Sequence, residues 1–167
     1  MSDYLNKNFY INFLIVIVIF SLDRISKSYV ILINEKNLSP DIFTSKYLNI
    51  SLIWNEGIAF GLLSFNEGYF YNFLTGLIVI IIIIISFMIL KNEGMRKYSL
   101  LMILGGALGN LYDRIFFKAV PDFIDFHIGN FHWFIFNVSD IFISLGVLFL
   151  ILLELIDNQK NRIDEKN

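Results

Sequence analysis

The sequence predicts an all-α membrane protein with four transmembrane helices and a small sheet or amphipathic cap lying on the membrane. Hydrophobic residues make up 56% of the 167 residues, which is more than a globular domain normally carries. These residues are concentrated in four long, almost uncharged spans, each close to the length that crosses a bilayer. The chain between the first two spans is polar and contains one clear strand pattern.

We expect a single integral membrane domain over residues 1–167. The predicted spans are about 9–33, 68–90, 97–114 and 136–156, and an extracytoplasmic cap is expected at about 34–67 and 115–135. The second span contains six consecutive isoleucines at positions 80–85. In water such a run would favour a strand, but in an uncharged segment of this length it favours a membrane helix.

The strand pattern lies at Leu48–Asn55, where large apolar residues recur at alternate positions. This period of two is typical of a half-buried strand. Glu56 and Gly57 follow directly, and a glycine at this position indicates a turn or bulge. The cap is therefore expected to contain at least one strand.

The composition excludes several classes of site. A net charge of −2 shows none of the basic excess that a nucleic-acid partner requires. The chain has no cysteine, which excludes disulfides, a thiol nucleophile and cysteine metal ligands. Its two histidines, His127 and His132, are too few for most zinc sites. We therefore expect no metal, no other cofactor and no nucleic acid among the partners.

The distribution of lysine and arginine predicts that both termini are cytoplasmic. In that orientation the inner side holds seven basic residues, Lys7, Lys91, Arg96, Lys97, Lys160, Arg162 and Lys166. The outer side holds six, Arg24, Lys27, Lys36, Lys46, Arg114 and Lys118. Three of these six, Arg24, Lys27 and Arg114, are close in sequence to acids at helix ends. We assign those three to a site. Seven basic residues on the inner side then stand against three on the outer side.

The polar residues of the spans are expected at one end of the bundle, the outer one, when about 1.5 Å of rise is counted per residue. They are Asp23 and Lys27 in the first helix, Asn110, Asp113 and Arg114 in the third, and Asn137 and Asp140 in the fourth. Each set has the spacing of one helix face. We interpret Asp23 with Lys27, and Asp113 with Arg114, as scaffold ion pairs.

Two further acids, Asp122 and Asp140, have no basic neighbour in sequence. Two such carboxylates brought together in a low-dielectric site cannot both ionise cheaply, so they share a proton and provide an acid and a base near neutral pH. That pair could activate water for amide hydrolysis. The alternative is a hydrogen-bonded helix end at the membrane interface. Asp125 competes with Asp122 for the role, because the two lie on opposite faces of an extended segment.

The chain resembles the bacterial lipoprotein signal peptidase (signal peptidase II) family over almost its whole length. The resemblance lies in GGALGNLYDR at 105–114, VPDFIDF at 120–126 and FNVSD at 136–140. Asp23 with Lys27 and the stretch WNEGIAF at 54–60 agree as well. The resemblance implies an aspartic endopeptidase of the bacterial inner membrane that cleaves prolipoproteins before a diacylglyceryl-modified cysteine. It also implies an outward-facing β-cradle, with the strand before Asn55 belonging to it.

The resemblance assigns the catalytic pair to Asp122 and Asp140 and leaves Asp125 outside it. Its supporting residues correspond to Asp23, Lys27, Asn55, Gly57, Asn110, Asp113, Arg114 and Asn137. The expected partners are lipidated prolipoprotein substrates and membrane lipid, and we expect a monomer.

Two residues depart from the family pattern. Pro121 replaces an aliphatic residue before the first aspartate, and proline fits a strand only where its missing N–H is not needed. Ser139 replaces the usual alanine before the second aspartate, which makes a hydroxyl available for a hydrogen bond. Neither change removes a catalytic group.

Three other functions are compatible with parts of the sequence. A transporter or proton-relay subunit would have ionisable groups spread through the membrane depth, but here they are clustered. A presenilin-like aspartic protease would carry a GxGD motif, which the chain does not have. A purely structural subunit would explain the hydrophobicity but not the unpaired Asp122 and Asp140.

Overall fold

The described residues form four helices and one four-stranded antiparallel sheet. The computed structural model describes residues 2–37, 41–57 and 67–164. In chain order its elements are α1 (Ser2–Asn37), β1 (Asp41–Thr44), β2 (Leu48–Asn55), α2 (Glu67–Lys91), α3 (Gly94–Phe116), β3 (Val120–Ile128), β4 (Phe131–Phe136) and α4 (Val138–Asp164). The parts of the predicted cap at 38–40 and 58–66 lie outside the described residues.

The helices follow the predicted spans, with differences at their ends. α1 continues to Asn37, beyond the predicted end at 33, and contacts β1, β2 and β3. The fourth helix begins at Val138 rather than at 136, because residues 131–136 form β4. The isoleucine run at 80–85 is helical within α2.

Three helices among the described residues are long and apolar enough to cross a bilayer. These segments are Phe9–Lys36, Tyr71–Lys91 and Val138–Arg162. α3 is not among them, although its 23 residues would extend about 35 Å. It carries charged residues at both ends and asparagine, aspartate and glycine in its second half. The apolarity of these three helices is typical of a membrane protein with several spans. The position of α3 has to be inferred from its packing instead.

The sheet has the strand order β1-β2-β3-β4. The predicted strand is confirmed as β2, with the predicted bounds. β3 lies between β2 and β4, and a bulge places Ser51 and Leu52 of β2 opposite Phe123 alone. β4 pairs with β3 only from Ile124 onward, so the first residues of β3 have a neighbouring strand on one side.

α3 packs against the other three helices and divides into two parts. Its first half supplies Leu100, Leu101 and Ile103 to an apolar core that also contains Ile85 and Ile89 of α2. Its last turns carry the polar residues Asn110 and Asp113. The apolar core and the polar cluster therefore occupy opposite ends of the helix bundle.

Glycines between these two parts let α1 and α4 approach α3 closely. A Cβ atom at Gly106 would lie 2.5 Å from the backbone oxygen of Ser139 and 2.8 Å from Cγ1 of Ile143. A Cβ atom at Gly105 would lie 2.9 Å from Ile19. These distances are shorter than carbon contacts allow, so the first turn of α4 reaches its position only because residue 106 has no side chain.

We predict that Gly106→Ala lowers the free energy of unfolding by about 1–3 kcal/mol, the usual cost of overpacking. Gly76→Ala in α2 is the matched control, because nothing lies within 4 Å of its added Cβ. That variant should be neutral or gain roughly 0.5–1 kcal/mol. Denaturation of both purified variants in detergent measures the difference, and equal stability would contradict the close approach of α4 to α3.

Candidate active site

A cluster of buried charges joins α1 to α3 beneath the sheet. The ammonium of Lys27 is 1% exposed and lies 2.9 Å from Oδ1 of Asp23 and 2.7 Å from Oδ2 of Asp113. Arg24 also pairs with both acids, with Nη2 2.7 Å from each carboxylate. Two acids and two bases therefore neutralise one another at a place where single charges would be costly.

The predicted Asp113–Arg114 pair is wrong. Asp113 pairs with Arg24 and Lys27 of α1, and Arg114 contacts other groups. The guanidinium of Arg114 lies 5.6 Å from the ring centre of Tyr71. It also lies beside Gly57, where a Cβ atom would be 3.0 Å from Nη1. Arg114 is therefore packed between the cap and α2.

Arg24 was assigned to a site because it is close to an acid, but it was not among the predicted supporting residues. Sequence spacing placed it beside Asp23, but its contact with Asp113 depends on how α1 and α3 pack. Its guanidinium also lies 4.7 Å from the ring centre of Tyr112. In the sequence, the position of Arg24 next to an acid near a helix end was the feature that indicated its part in the cluster.

Asp140 is fixed in the first turn of α4. Asn137 caps this helix, because its Oδ1 accepts the backbone N–H of Asp140 at 3.2 Å. In return Oδ2 of Asp140 accepts the backbone N–H of Asn137 at 3.1 Å. This reciprocal arrangement is a capping box. Oδ1 of Asp140 accepts a third hydrogen bond, at 2.8 Å, from the side-chain amide of Asn110.

Asp122 projects from β3 towards the same helix start. Its Oδ1 accepts a hydrogen bond of 2.6 Å from Nδ2 of Asn137, and its Oδ2 accepts one of 2.9 Å from Nδ2 of Asn55. Asn137 therefore contacts both acids, one through its side-chain amide and the other through its backbone and side-chain oxygen. The structure thus brings the two predicted acids to opposite sides of one asparagine.

Each of the three asparagines is held in a single amide orientation. The oxygen of Asn110 accepts from the Lys27 ammonium at 2.9 Å, that of Asn55 accepts from the N–H of Gly57 at 2.8 Å, and that of Asn137 accepts from Asp140. A side-chain amide whose oxygen is occupied must direct its NH₂ group the other way. All three NH₂ groups consequently donate to Asp122 or Asp140.

Burial raises the pKa of Asp122 from its ordinary value of 3.8 to about 6. The hydrogen bonds from Asn55 and Asn137 oppose this rise because they favour the carboxylate, and the negative charge of Asp140 adds to it. A carboxyl group with such a pKa exchanges its proton near neutral pH, as a general acid or base must.

Asp125 lies apart from this pair. It is on the opposite face of β3, where its Oδ2 contacts His132 at 2.8 Å and Asn49 at 3.3 Å. The structure therefore brings Asp122, and not Asp125, to the start of α4.

The two departures from the family pattern are accommodated differently. Pro121 lies in the part of β3 that has only β2 beside it, so the missing N–H does not interrupt a ladder on the β4 side. The Ser139 hydroxyl is buried and has no hydrogen-bond partner among the described residues, so the additional bond that its hydroxyl could make is not formed. The backbone N–H of Ser139 donates to Oδ1 of Asp23 at 3.0 Å.

Comparison with known proteins identifies the family. The family described as signal peptidase (SPase) II matches residues 15–156. The chain belongs to the signal peptidase II family. A lipoprotein signal peptidase of Pelagibacter ubique is 53% identical over 161 residues, covering 96% of each chain. One from Aquifex aeolicus is 38% identical over 154 residues, covering 91% of this chain and 90% of the relative.

A solved structure of a bacterial membrane enzyme, obtained by the in meso method, has a similar fold. Its TM-score is 0.73 at 28% identity, and the match covers 89% of this chain and 90% of that one. Signal peptidase II enzymes are aspartic peptidases. Together with the three apolar helices, membership of this family makes the chain a multi-pass membrane protein.

We predict that Asp113→Ala lowers the free energy of unfolding by about 3–5 kcal/mol, because it leaves a buried positive charge on Lys27 and Arg24 uncompensated. Asp157→Ala is the matched control, because Asp157 pairs with Arg96 on the exposed surface. Loss of such an exposed pair should change the free energy of unfolding little. Chemical denaturation of both variants in detergent measures the effect. Wild-type stability of Asp113→Ala would show that the buried cluster does not hold α1 to α3.

We predict that Asp122 makes the protein less stable as the pH rises. Between about pH 4 and 6 the folded state holds more protons at Asp122 than the unfolded chain does, so the free energy of unfolding falls through this window and is level above it. The total change is at most about 3 kcal/mol. Asp122→Asn lacks this contribution. The melting temperature of this variant minus that of the wild type should therefore increase as the pH rises from 4 to 7.

The same comparison with Asp157→Asn controls for the loss of an acid elsewhere. A difference between Asp122→Asn and wild type that is independent of pH would contradict the raised pKa of Asp122.

Proposed function

We propose that this chain removes signal peptides from prolipoproteins by hydrolysing the peptide bond before a diacylglyceryl-modified cysteine, with Asp122 and Asp140 as the catalytic pair. The observation that carries this proposal is the hydrogen bonding of Asn137 to both aspartates. It joins two carboxyl groups from separate elements into one unit at the mouth of the helix bundle. Membership of the signal peptidase II family supports the same reaction.

The reaction needs one proton shared by the two carboxyl groups. One ionised carboxylate removes a proton from water, and the oxygen of that water forms a bond to the scissile carbonyl carbon. The protonated carboxyl group donates its proton to the carbonyl oxygen, which gives a neutral tetrahedral diol. The first carboxyl group then donates the proton that it took from water to the leaving nitrogen, while the second carboxylate takes a proton from a diol hydroxyl. The C–N bond breaks to give an amine and a carboxylic acid, and the pair returns to its starting state.

The hydrogen bonds around the pair leave room for this chemistry. Each of the four carboxylate oxygens accepts from an N–H group, and the donors come from Asn55, Asn110 and Asn137. A carboxylate oxygen has two lone pairs, so each oxygen keeps one for water or the shared proton. The asparagines act as positioning residues, and Lys27 acts through Asn110. Asp23, Asp113 and Gly57 support them as scaffold, and Arg114 supports the cap over the site.

We propose that all four helices span the bacterial inner membrane. α3 packs against α1, α2 and α4, so its polar residues are covered by protein rather than lipid, as intramembrane polar groups require. The termini would be cytoplasmic and the catalytic pair would lie at the outer face. Burial of Lys27 and Arg24 in ion pairs supports leaving them out of the orientation count, which favours the inner side for the remaining basic residues.

The substrate would approach the pair sideways from the lipid. A cavity of about 360 Å³ borders Asp140 and is lined by the aromatic residues Phe126, Trp133, Phe134 and Phe136 together with Ile141 and Leu145 of α4. Such a lining suits the apolar part of a lipidated peptide. Since each CH₂ group that leaves the bilayer costs about 0.8 kcal/mol, the acyl chains would remain in lipid during cleavage. One chain supplies all the residues of the pair and its support, which favours a monomer.

The distribution of buried charges does not favour a transporter or a proton relay. The buried charged side chains of the described residues are Asp23, Lys27, Asp113, Asp122 and Asp125, and these lie in the sheet or in the helix turns near it. Such a distribution offers no series of ionisable groups through the membrane depth.

The experiment that tests the proposal measures cleavage of a lipidated and an unlipidated prolipoprotein by purified enzyme. We predict that Asp122→Asn and Asp140→Asn each abolish turnover of the lipidated substrate while the protein stays folded, because an amide cannot exchange the proton. The double variant should be no worse than either single one, since the pair acts as a unit. Asp157→Asn, far along α4, is the control and should keep wild-type turnover.

Two outcomes would count against the proposal. Substantial turnover by either single variant would remove that residue from the pair, and Asp125 would be tested next. Equal turnover of an unlipidated, water-soluble peptide with the same cleavage sequence would refute lateral entry from the membrane without removing the two aspartates from catalysis.

A further inference from the structure

A second cluster of ionisable side chains lies on the face of the sheet opposite the catalytic pair. Asp125 and His127 are two residues apart on β3, and His132 of β4 is the direct cross-strand neighbour of His127. One potential ligand atom from each residue lies within 4.8 Å of those of the other two. The proposed peptidase reaction uses none of these three residues.

The chemistry of the three groups matches that of a transition-metal site. Two imidazoles and one carboxylate are a common ligand set for Zn²⁺, with a solvent molecule in the fourth position, and ligand atoms of a tetrahedral site lie about 3.4 Å apart. The three groups are therefore within small side-chain rotations of that geometry. The His127 and His132 rings are nearly parallel, with centres 5.0 Å apart, so a ring tilt would bring both nitrogens towards one ion.

An Asp–His hydrogen bond alone does not account for the cluster. It explains Asp125 and His132, which are 2.8 Å apart, but not His127. The Nδ1 atom of His127 is buried and has no hydrogen-bond partner among the described residues, and an unsatisfied buried polar atom is costly. A bound cation would provide the missing partner.

The surroundings of the cluster orient one of its ligands and leave it open to solvent. Asn49, directly opposite Asp125 on β2, donates to its carboxylate at 3.3 Å, as groups behind a metal ligand commonly do. The side chain of His132 is 51% exposed, so an ion can enter from solvent. Asp125 is 4% exposed and supplies a negative charge at the inner end of the site.

We propose that Asp125, His127 and His132 bind one Zn²⁺ ion that joins β4 to β3. This proposal revises the expectation that two histidines are too few for a zinc site, because the carboxylate completes the set. The ion would fix the hairpin whose ends lead to the catalytic pair, since Asp122 lies three residues before Asp125 and β4 runs directly into Asn137. Its role is structural, so the proposed peptidase activity does not depend on it.

The test uses protein purified without a polyhistidine tag and treated with a chelator. Zn²⁺ is titrated against a chromophoric chelator in competition, and the melting temperature is measured with and without Zn²⁺. Wild type should bind one Zn²⁺ per chain and melt at a higher temperature when it is bound. His132→Gln and His127→Gln should each weaken binding by at least the roughly 10–100-fold that loss of an outer partner causes, and should lose the thermal shift.

Asp157→Asn is the matched control and should bind Zn²⁺ as wild type does. Because His132 is exposed, His132→Gln remains a valid test if His127→Gln fails to fold. Wild type that shows no saturable Zn²⁺ binding, or histidine variants that bind with unchanged stoichiometry and affinity, would overturn the site. Neither result bears on prolipoprotein cleavage, which is measured separately.

Discussion

The buried ammonium of Lys27 is the contact on which the rest of the site depends. It pairs with Asp23 on its own helix and Asp113 on α3, and it donates to Asn110. The ion pairs hold α1 against α3, and Asp23 in turn accepts the backbone N–H of Ser139 at the start of α4. The bond to Asn110 orients the amide that contacts Asp140. One cation thus connects the packing of three helices to the direction of the hydrogen bond that Asn110 donates to Asp140.

The proposed catalytic pair, Asp122 and Asp140, accepts hydrogen bonds from neutral amides whose orientation is fixed by other groups. Asn110 is oriented by Lys27, Asn55 by the backbone of Gly57, and Asn137 by the first turn of α4. Gly57 adopts a φ of +88°, a conformation that favours glycine, and a side chain there would also meet Arg114. Lys27 and Gly57 are therefore supporting residues of the site although they do not contact the two aspartates directly.

Sequence reasoning succeeded where spacing along one element decides the outcome. The alternation at Leu48–Asn55 gave β2 with its bounds, and helical rise placed Asp23, Asn110 and Asp140 at one end of the bundle. It failed where separate elements meet. Asp113 was paired with its neighbour Arg114, but its partners come from α1. The cluster of Asp125, His127 and His132 was also missed, because no hairpin that pairs His132 with His127 was predicted in the cap.

The two sets of acids at this end of the protein differ in the charge of their partners. Asp23 and Asp113 contact an ammonium and a guanidinium, so the four charges offset one another's burial. Within the part of the chain that the structure describes, Asp122 and Asp140 receive hydrogen bonds only from uncharged N–H groups, which stabilise a carboxylate less than a cation does. Desolvation therefore prevails at Asp122, whose pKa rises to about 6. Lys27 contacts Asn110, and Asn110 contacts Asp140. The cation therefore fixes the geometry of Asp140 without occupying a carboxylate oxygen that the proposed reaction needs for proton exchange.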